Sequence, residues 1–430
     1  MSDVLRQDWT SVAEEVAGKL REDAAERDRA NEPPVREVEL LRSSGLLTAF
    51  IPAEHGGGDG DPTASDAVTR IITAADASVG HLLGYHYLHI WRSELFTDDP
   101  LAGSSINTDD SLAGSSINTD DSLAGSSAST AADRAARLRR ETAANRWFWG
   151  GVANPLDAAL ELTPTDEGFL VNGRKTFATG ASVADRLVVS GTRTDNGEKV
   201  SFVVDARAEG VRYLEDWDNS GQRLTASGGV VFTGTPVAAD DVLGVHPSTE
   251  DEMDTPAALR LSLAQIAFQA VLSQLHVGIA EGAIDQAAEY TRTMSRPWFL
   301  SGVEKATDDL YVLVGYGELV AATEAAGLLA DHASAMLHAA AAEPELTPEL
   351  RAAAALTISS AKVFSTRVVN EVTSKIFEFV GARATASKYG FDRFWRNART
   401  ITLHDPVSYK ARELGANLLT GEIPPITGYS

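Results

Sequence analysis

Three short stretches of this 430-residue chain carry side chains able to move a proton or hold a polar ligand. The first is "RTITLHDPVSYK", where His404 and Asp405 stand side by side before Pro406. An imidazole beside a carboxylate is a hydrogen-bonding unit in which the acid supports the ring. The second is "GHLLGYHYLH", in which His81 and Tyr85 are four residues apart and share one helix face. The third is "TFATG", where Thr176 and Thr179 offer hydroxyls at a strand end. Each stretch also has an ordinary reading. His81 and Tyr85 could be an amphipathic pair, and Thr179 could satisfy a turn. His404 and Asp405 could cap a helix C-terminus, where a protonated histidine is favourable and an aspartate is not. His81, His86 and His89 are one candidate metal set, but no H-E-x-x-H pattern or obvious third ligand accompanies them, so no metal is expected.

The elements that must position these residues follow from periodicity. Residues 8 to 48 have helical spacing, broken by Pro33 and Pro34 and closed by Gly45. "IPAEHGGGDGD" then reads as a glycine-rich turn, followed by a second helical stretch over about 62 to 96. In residues 101 to 130 "LAGSSINTDDS" occurs twice and a third copy begins, a polar repeat that cannot bury a core and reads as a surface insertion. Helical spacing resumes at "TAADRAARLRRETAANRW". From Trp147 the period changes to two: "FLVNGRKTFATG" alternates around an Asn-Gly turn, and "DRLVVSGTR", "KVSFVVDA" and "GGVVFTGTPV" read as short strands. This predicts about a hundred residues of antiparallel β structure. Past Pro256 the chain is helical again, with further long helices around 303 to 340 and 347 to 380. The resulting fold class is α+β, mainly α. It has a helical domain over 1–146 with the repeat insertion at 100–130, a central antiparallel β domain over 147–250 and a C-terminal helical bundle over 251–430.

Composition narrows the function. The 37 basic and 61 acidic residues give a net charge of −24, which argues against nucleic acid or an anionic membrane as partner. An anionic ligand must therefore be held by a local cluster of arginines. The absence of cysteine excludes disulfides, iron–sulfur clusters and thiol nucleophiles. No stretch approaches eighteen consecutive apolar residues and the start does not read as a signal peptide, so a cytoplasmic protein is expected. Neither a G-x-G-x-x-G motif after a strand nor a P-loop is present.

Larger motifs add a resemblance. "LLRSSGLLTAFIPAEHGG", "HVGIAEGAIDQAAEYTRTMSRP" and "VGARATASKYGFDRFWRNARTITLHDP" resemble segments of the acyl-CoA dehydrogenase superfamily. "GYH", "EYTRT", "RPW", "YGFDRFWRN" and "LHDPVSYK" resemble its dibenzothiophene monooxygenase branch of two-component flavin enzymes. The likeness spans nearly the whole chain outside residues 100 to 130, and it implies a C-terminal four-helix bundle. Where a typical dehydrogenase has a glutamate base followed by Gly-Thr, this chain has Asp405, Pro406 and Val407.

The resemblance implies an FMN-dependent monooxygenase. It takes reduced FMN from a separate NAD(P)H-dependent flavin reductase and uses O2, through a C4a-hydroperoxyflavin, to oxygenate sulfur or nitrogen of a small apolar substrate, such as an aromatic sulfur heterocycle. In that reading His404, supported by Asp405, supplies a hydrogen bond or proton, and His81 and Tyr85 face the substrate from the opposite side. Thr179, at a position where relatives carry serine, lies near flavin N5, with Trp217 packed against the ring and Ser227 in contact with the flavin. Arg296, and Arg383 of a neighbouring subunit in a homotetramer, hold the FMN phosphate. Two positions depart from the pattern: Ile401 replaces a histidine and Gly151 an asparagine. Both are expected to make the pocket less polar and to draw it away from a dibenzothiophene-like substrate. The alternatives are an FAD-dependent acyl-CoA dehydrogenase with Asp405 as base, and a non-catalytic scaffold of the same fold.

Overall fold

The computed structural model describes residues 7–96, 130–247 and 255–429; most of the eleven-residue repeat lies outside them. Helix α1 (Trp9–Ala30) starts on Asp8, whose carboxylate accepts from the backbone of Thr10 and Ser11, and ends on left-handed Asn31. Pro33 and Pro34 separate it from α2 (Val35–Ser44), which Gly45 terminates in a left-handed cap. The glycine-rich stretch is a turn closed by its own backbone, with Gly58 and Gly60 donating to the carbonyls of Thr48 and Ala49.

The helical stretch expected over 62–96 is two helices, α3 (Ala64–Ala75) and α4 (Ala77–Arg92). Asp76 leaves the helical region and caps α4 through Ser78 and Val79. The capping box Thr130–Asp133 begins α5 (Ala131–Asn145).

Eight strands form one sheet: β1 (Trp149–Val152), β2 (Leu160–Thr165), β3 (Gly168–Lys175), β4 (Arg186–Arg193), β5 (Lys199–Asp205), β6 (Val211–Tyr213), β7 (Val230–Ala238) and β8 (Val242–Val245). The order is β6-β7-β3-β2-β4-β5-β8, with β1 also on β4. The sheet is mixed, not wholly antiparallel: β1 and β2 both pair in parallel with β4, against 186–189 and 191–193 respectively. The expected Asn-Gly turn is also corrected. Asn172 and Gly173 lie inside β3 at an irregularity against β7, where the Asn172 carboxamide accepts from Gly234 N. The hairpin turn falls at Thr165 to Gly168.

The C-terminal part contains α6 (Pro256–Leu261), α7 (Leu263–Thr293), α8 (Leu310–Ala342), α9 (Pro348–Val380), α10 (Asp392–Ile401) and α11 (Val407–Thr420). Among the described residues two helical stretches, Pro256–Thr293 and Leu310–Ala342, are long and apolar enough to cross a membrane by length and composition. The first is a core helix, with Leu272, Leu275, Ile279 and Ala283 buried. The second leaves much of its apolar surface outside, with Leu310, Tyr311 and Leu328 each more than two-thirds exposed.

Helices α3 and α7 approach so closely that a Cβ built on Gly282 would lie 2.0 Å from the carbonyl oxygen of Ala74. That neighbour is backbone and cannot rotate away. Gly282→Ala is therefore expected to cost about 1–3 kcal/mol through overpacking, read as a lower thermal unfolding midpoint. An unchanged midpoint would show that the helices separate freely.

Candidate active site

His404 and Asp405 lie in the link between α10 and α11, and Asp405 caps neither helix. Its Oδ1 instead accepts from His404 Nδ1 at 3.2 Å and from Lys362 Nζ at 3.3 Å. Lys362 is fully buried on α9 and Asp405 is 6% exposed, whereas the His404 side chain is about one-third exposed. Burial opposes the charge on Asp405, but the bond from His404 and the charge of Lys362 outweigh it and hold the carboxyl well below the usual range. Burial pushes Lys362 down to about 8 against the pull of Asp405. A carboxylate that accepts at Nδ1 leaves Nε2 of His404 for other partners.

On α4, His81 and Tyr85 are buried together with ring centroids 4.3 Å apart, edge to face. His81 Nδ1 bonds the side-chain oxygen of Gln222 at 3.1 Å. Burial lowers His81 to about 3, so it is a neutral imidazole, and raises the Tyr85 hydroxyl far above its ordinary value, with Asp405 adding to that shift. The reach of Asp405 to Tyr85, and of His404 to His81, places the two pairs in one neighbourhood. Among the described residues His81 Nε2 and the Tyr85 hydroxyl are buried without a hydrogen-bond partner. Such atoms cost about 1–3 kcal/mol each unless something binds them.

Gln222 sits in the loop between β6 and β7 with a left-handed backbone, φ 54°. Its N–H donates to the side chain of Asn397 on α10 at 2.6 Å. Thr179, half-buried after β3, shares a 2.9 Å hydroxyl contact with Ser227, and Ser227 a 2.7 Å contact with Thr225. Trp217 donates its indole N–H to the Gln222 carbonyl and meets Phe177 edge to face at 6.0 Å. Phe177, Glu215, Gln222 and Ala226 all have positive φ without being glycine. Strained backbone of this kind concentrates where a site must be held in one shape. Thr176 takes the ordinary reading, bound to Asp157 and Asn154.

The structure thus gathers His81, Tyr85, His404 and Asp405, and separately Thr179, Ser227 and Trp217 beside Gln222. Arg296 and Arg383 stand exposed at one end of the bundle in the same chain, where Ser295 Oγ meets the Phe379 carbonyl at 3.4 Å. Among the described residues neither makes an ion pair.

His86 spans α4, the first turn and the sheet, through Leu47 O at 2.7 Å and Trp149 N at 3.1 Å, a structural role. The two positions that depart from the pattern, 151 and 401, have different surroundings. A Cβ on Gly151 would lie 2.3 Å from His89 Nε2, so the His89 ring occupies the space of a side chain there. His89 is 2% exposed, and neither of its ring nitrogens has a hydrogen-bond partner among the described residues. Ile401 is buried in the apolar core of the bundle.

Sequence reasoning missed Lys362, Gln222 and Asn397 as functional candidates, and weighed His89 only as a metal ligand. A lone lysine amid "TISSAKVFS" was a readable signal for the first. Nothing in the sequence marks Gln222, because its role comes from a backbone conformation.

The family "Acyl-CoA dehydrogenase, N-terminal domain" matches residues 5–92, and "Acyl-CoA dehydrogenase, C-terminal domain" matches 270–409. A dibenzothiophene monooxygenase from Rhodococcus erythropolis is 36% identical over 440 residues, covering 100% of this chain and 97% of its own. A probable FMNH2-dependent monooxygenase from Pseudomonas putida is 35% identical, covering 98% and 97%. The crystal structure of TdsC from Paenibacillus sp. A11-2 with FMN and indole matches with a TM-score of 0.85 and 35% identity, over 98% of this chain and 99% of that one.

Two expectations follow from the site's electrostatics. Lys362→Met leaves a buried carboxylate without its counter-charge and should destabilise the fold by about 3–5 kcal/mol in chemical denaturation. A loss below about 1 kcal/mol would mean the pair is solvated. The second concerns acid. Burial lowers His81, His89 and His246 from 6.5 to about 3 and His86 to about 4. Between those values the unfolded chain binds protons that the folded chain refuses, so stability is lost as pH falls below about 6.5. The thermal midpoint should drop steadily from pH 7 to pH 4.5, and a flat profile would contradict the neutral assignment.

Proposed function

We propose, for a chain that belongs to the acyl-CoA dehydrogenase superfamily and is a flavin-dependent monooxygenase acting on sulfur compounds, that it takes reduced FMN from a separate NAD(P)H-dependent reductase and inserts one oxygen atom of O2 into the sulfur of a small apolar substrate. The observation that carries this reading is the His404–Asp405–Lys362 unit set near His81 Nε2 and the Tyr85 hydroxyl, which have no hydrogen-bond partner among the described residues.

The residues fit a flavin. Thr179 and Ser227 present hydroxyls, Trp217 and Phe177 present aromatic faces or edges, and the arginines at the bundle end suit a phosphate dianion. When bound, reduced FMN supplies the electrons that activate O2. The chain's own contribution is positioning and proton control. Asp405 accepts from His404 Nδ1 and stabilises the imidazolium if the ring takes a second proton, so Nε2–H can donate to an oxygen atom beside it. Lys362 keeps Asp405 ionised from beneath. The buried helix α4 closes the other side, where neutral His81 and Tyr85 are suited to hydrogen-bond an uncharged substrate in a site with little water.

The same geometry weakens the dehydrogenase alternative. A carboxylate that already accepts from an imidazole and an ammonium is a poor base for a carbon-bound proton, and its environment holds it far from the pH where a general base works best.

The exposed apolar side chains of α8, together with Trp298, Phe299 and Leu300, support a homotetramer. In such an assembly the arginines of one copy could serve the flavin of another.

The test is anaerobic loading with reduced FMN followed by rapid mixing with O2. A near-ultraviolet absorbance transient should precede the return of oxidised flavin, and His404→Ala should shorten its life by roughly 10- to 1000-fold, the scale of one lost proton-transfer or hydrogen-bonding group. Single-step reoxidation in the wild-type chain would remove the basis for the oxygenase reading.

A further inference from the structure

Arg92, the last residue of α4, is 4% exposed and lays its guanidinium against the sheet. Its Nη2 donates to Ser190 Oγ on β4 at 3.4 Å and to Ser201 Oγ on β5 at 3.3 Å. The two serines face each other across the β4–β5 pair with their hydroxyls 2.8 Å apart, and Ser201 Oγ lies 2.8 Å from His246 Nε2, just past β8. Lys199 stands two residues before Ser201, hence on the same face of β5, at its exposed edge. Among the described residues no carboxylate joins this group. The similarly buried Arg193 bonds Asp195 and Glu198, while Arg351 is offset by Glu413 and Arg393 by Asp76 and Asp28. Arg92 has no such offset: burial alone acts on it and pulls it down to about 10. Burial, and then the charge of Arg92, also lowers Lys199 and His246. In a chain of 61 acidic and 37 basic residues, a basic cluster without an acid runs against the chain's own bias. A buried charge with no counter-charge is costly, and of the five N–H donors on the guanidinium two long bonds use few.

We propose that Arg92, Ser190, Ser201, His246 and Lys199 form a binding site for a fully ionised tetrahedral oxyanion of the sulfate type. The planar fork of Arg92 matches two oxygens of such an ion, and the serine hydroxyls and the Lys199 ammonium add donors around it. Sulfate at neutral pH carries no hydrogen and only accepts, which suits a lining rich in donors. Hydrogen phosphate brings a hydrogen that needs a strong acceptor, and the cluster has no carboxylate to take it. Arg92 is eleven residues beyond His81 on α4, a rise of about 16 Å, so this site is separate from the candidate active site. The inference does not depend on the flavin reading. A bound ion would bond the end of α4 and two strands at once, fixing one end of the helix that carries His81 and Tyr85.

The test is calorimetric titration of the full chain with sodium sulfate and with sodium phosphate at pH 7, the ionic strength being held constant with chloride. Sulfate should bind saturably, one ion per chain, and at least as tightly as phosphate. Arg92→Met removes the charge while keeping a long side chain in the same space, and should weaken sulfate binding roughly 10- to 100-fold, the scale of a charge-assisted hydrogen bond. Lys199→Met alters an exposed position that the core does not need, so it keeps the question answerable if the arginine variant does not fold. It should weaken sulfate roughly 2- to 5-fold, as the loss of one screened surface charge does. Wild-type affinity in both variants, or in Lys199→Met alone where Arg92→Met does not fold, would place the ion elsewhere and overturn the proposal. So would a wild type that shows no saturable binding. Phosphate bound more than about tenfold more tightly than sulfate would overturn the assignment to a fully ionised oxyanion, because it would reveal an acceptor in the lining.

Discussion

Everything at this site depends on one buried amide-bearing residue, Gln222. Its side chain holds His81 of the N-terminal helices, its N–H holds Asn397 of the C-terminal bundle, and its carbonyl gathers Trp217 and Thr225 of the β domain. The N-terminal helices, the sheet and the C-terminal helices are held together there. A set of charge-neutral hydrogen bonds away from water resists relative movement of these elements because breaking any member strands a polar atom. Nearby ties work in the same sense: Arg396 on α10 pairs with Asp28 of α1 and bonds the Ser220 carbonyl. The left-handed backbone at Gln222 is the local cost of making one residue face three ways.

Charge is handled differently on the two sides. Around α4, burial has removed it: His81, His86 and His89 are neutral and Tyr85 stays protonated. At the α10–α11 link charge is retained, because Lys362 reaches Asp405 through the bundle core. His276 lies beside this ion pair, is neutral through burial, and bonds Ser365. The neutral wall and the partly exposed His404 thus lie on opposite sides of this neighbourhood. The retained charge is paired locally, Asp405 with Lys362 and His404.

Much of this was legible in the residues. Helix limits set by Pro33, Pro34 and Gly45 could be read directly, because proline and glycine act through their own backbone. The order helix, sheet, helix followed from the change of period at Trp147. His404, Asp405, His81 and Tyr85 were visible as adjacent or helix-spaced pairs. The failures have a common cause. Asn172-Gly173 has the composition of a turn, yet pairing with β7 absorbs it within a strand; two parallel strand pairs were missed because alternation shows a strand but not its direction. Lys362 and Gln222 act at sequence distances of 43 and 141 residues from the side chains they hold. No local pattern encodes such a distance. The helix break at Asp76, by contrast, was available as a capping residue and went unread.

The contact between Gly151 and His89 has a consequence for how this pocket can change over time. A side chain at 151 and the imidazole at 89 claim the same volume, so neither position is free to vary alone. Enlarging 151 first would drive the ring out of a packed core, and trimming 89 first would open a void beside Tyr85 and Phe268. Each single step passes through a worse protein than either end point. The two positions therefore behave as one evolutionary character. Moving between an imidazole-lined and a side-chain-151-lined pocket requires a paired substitution or a permissive change at Phe268.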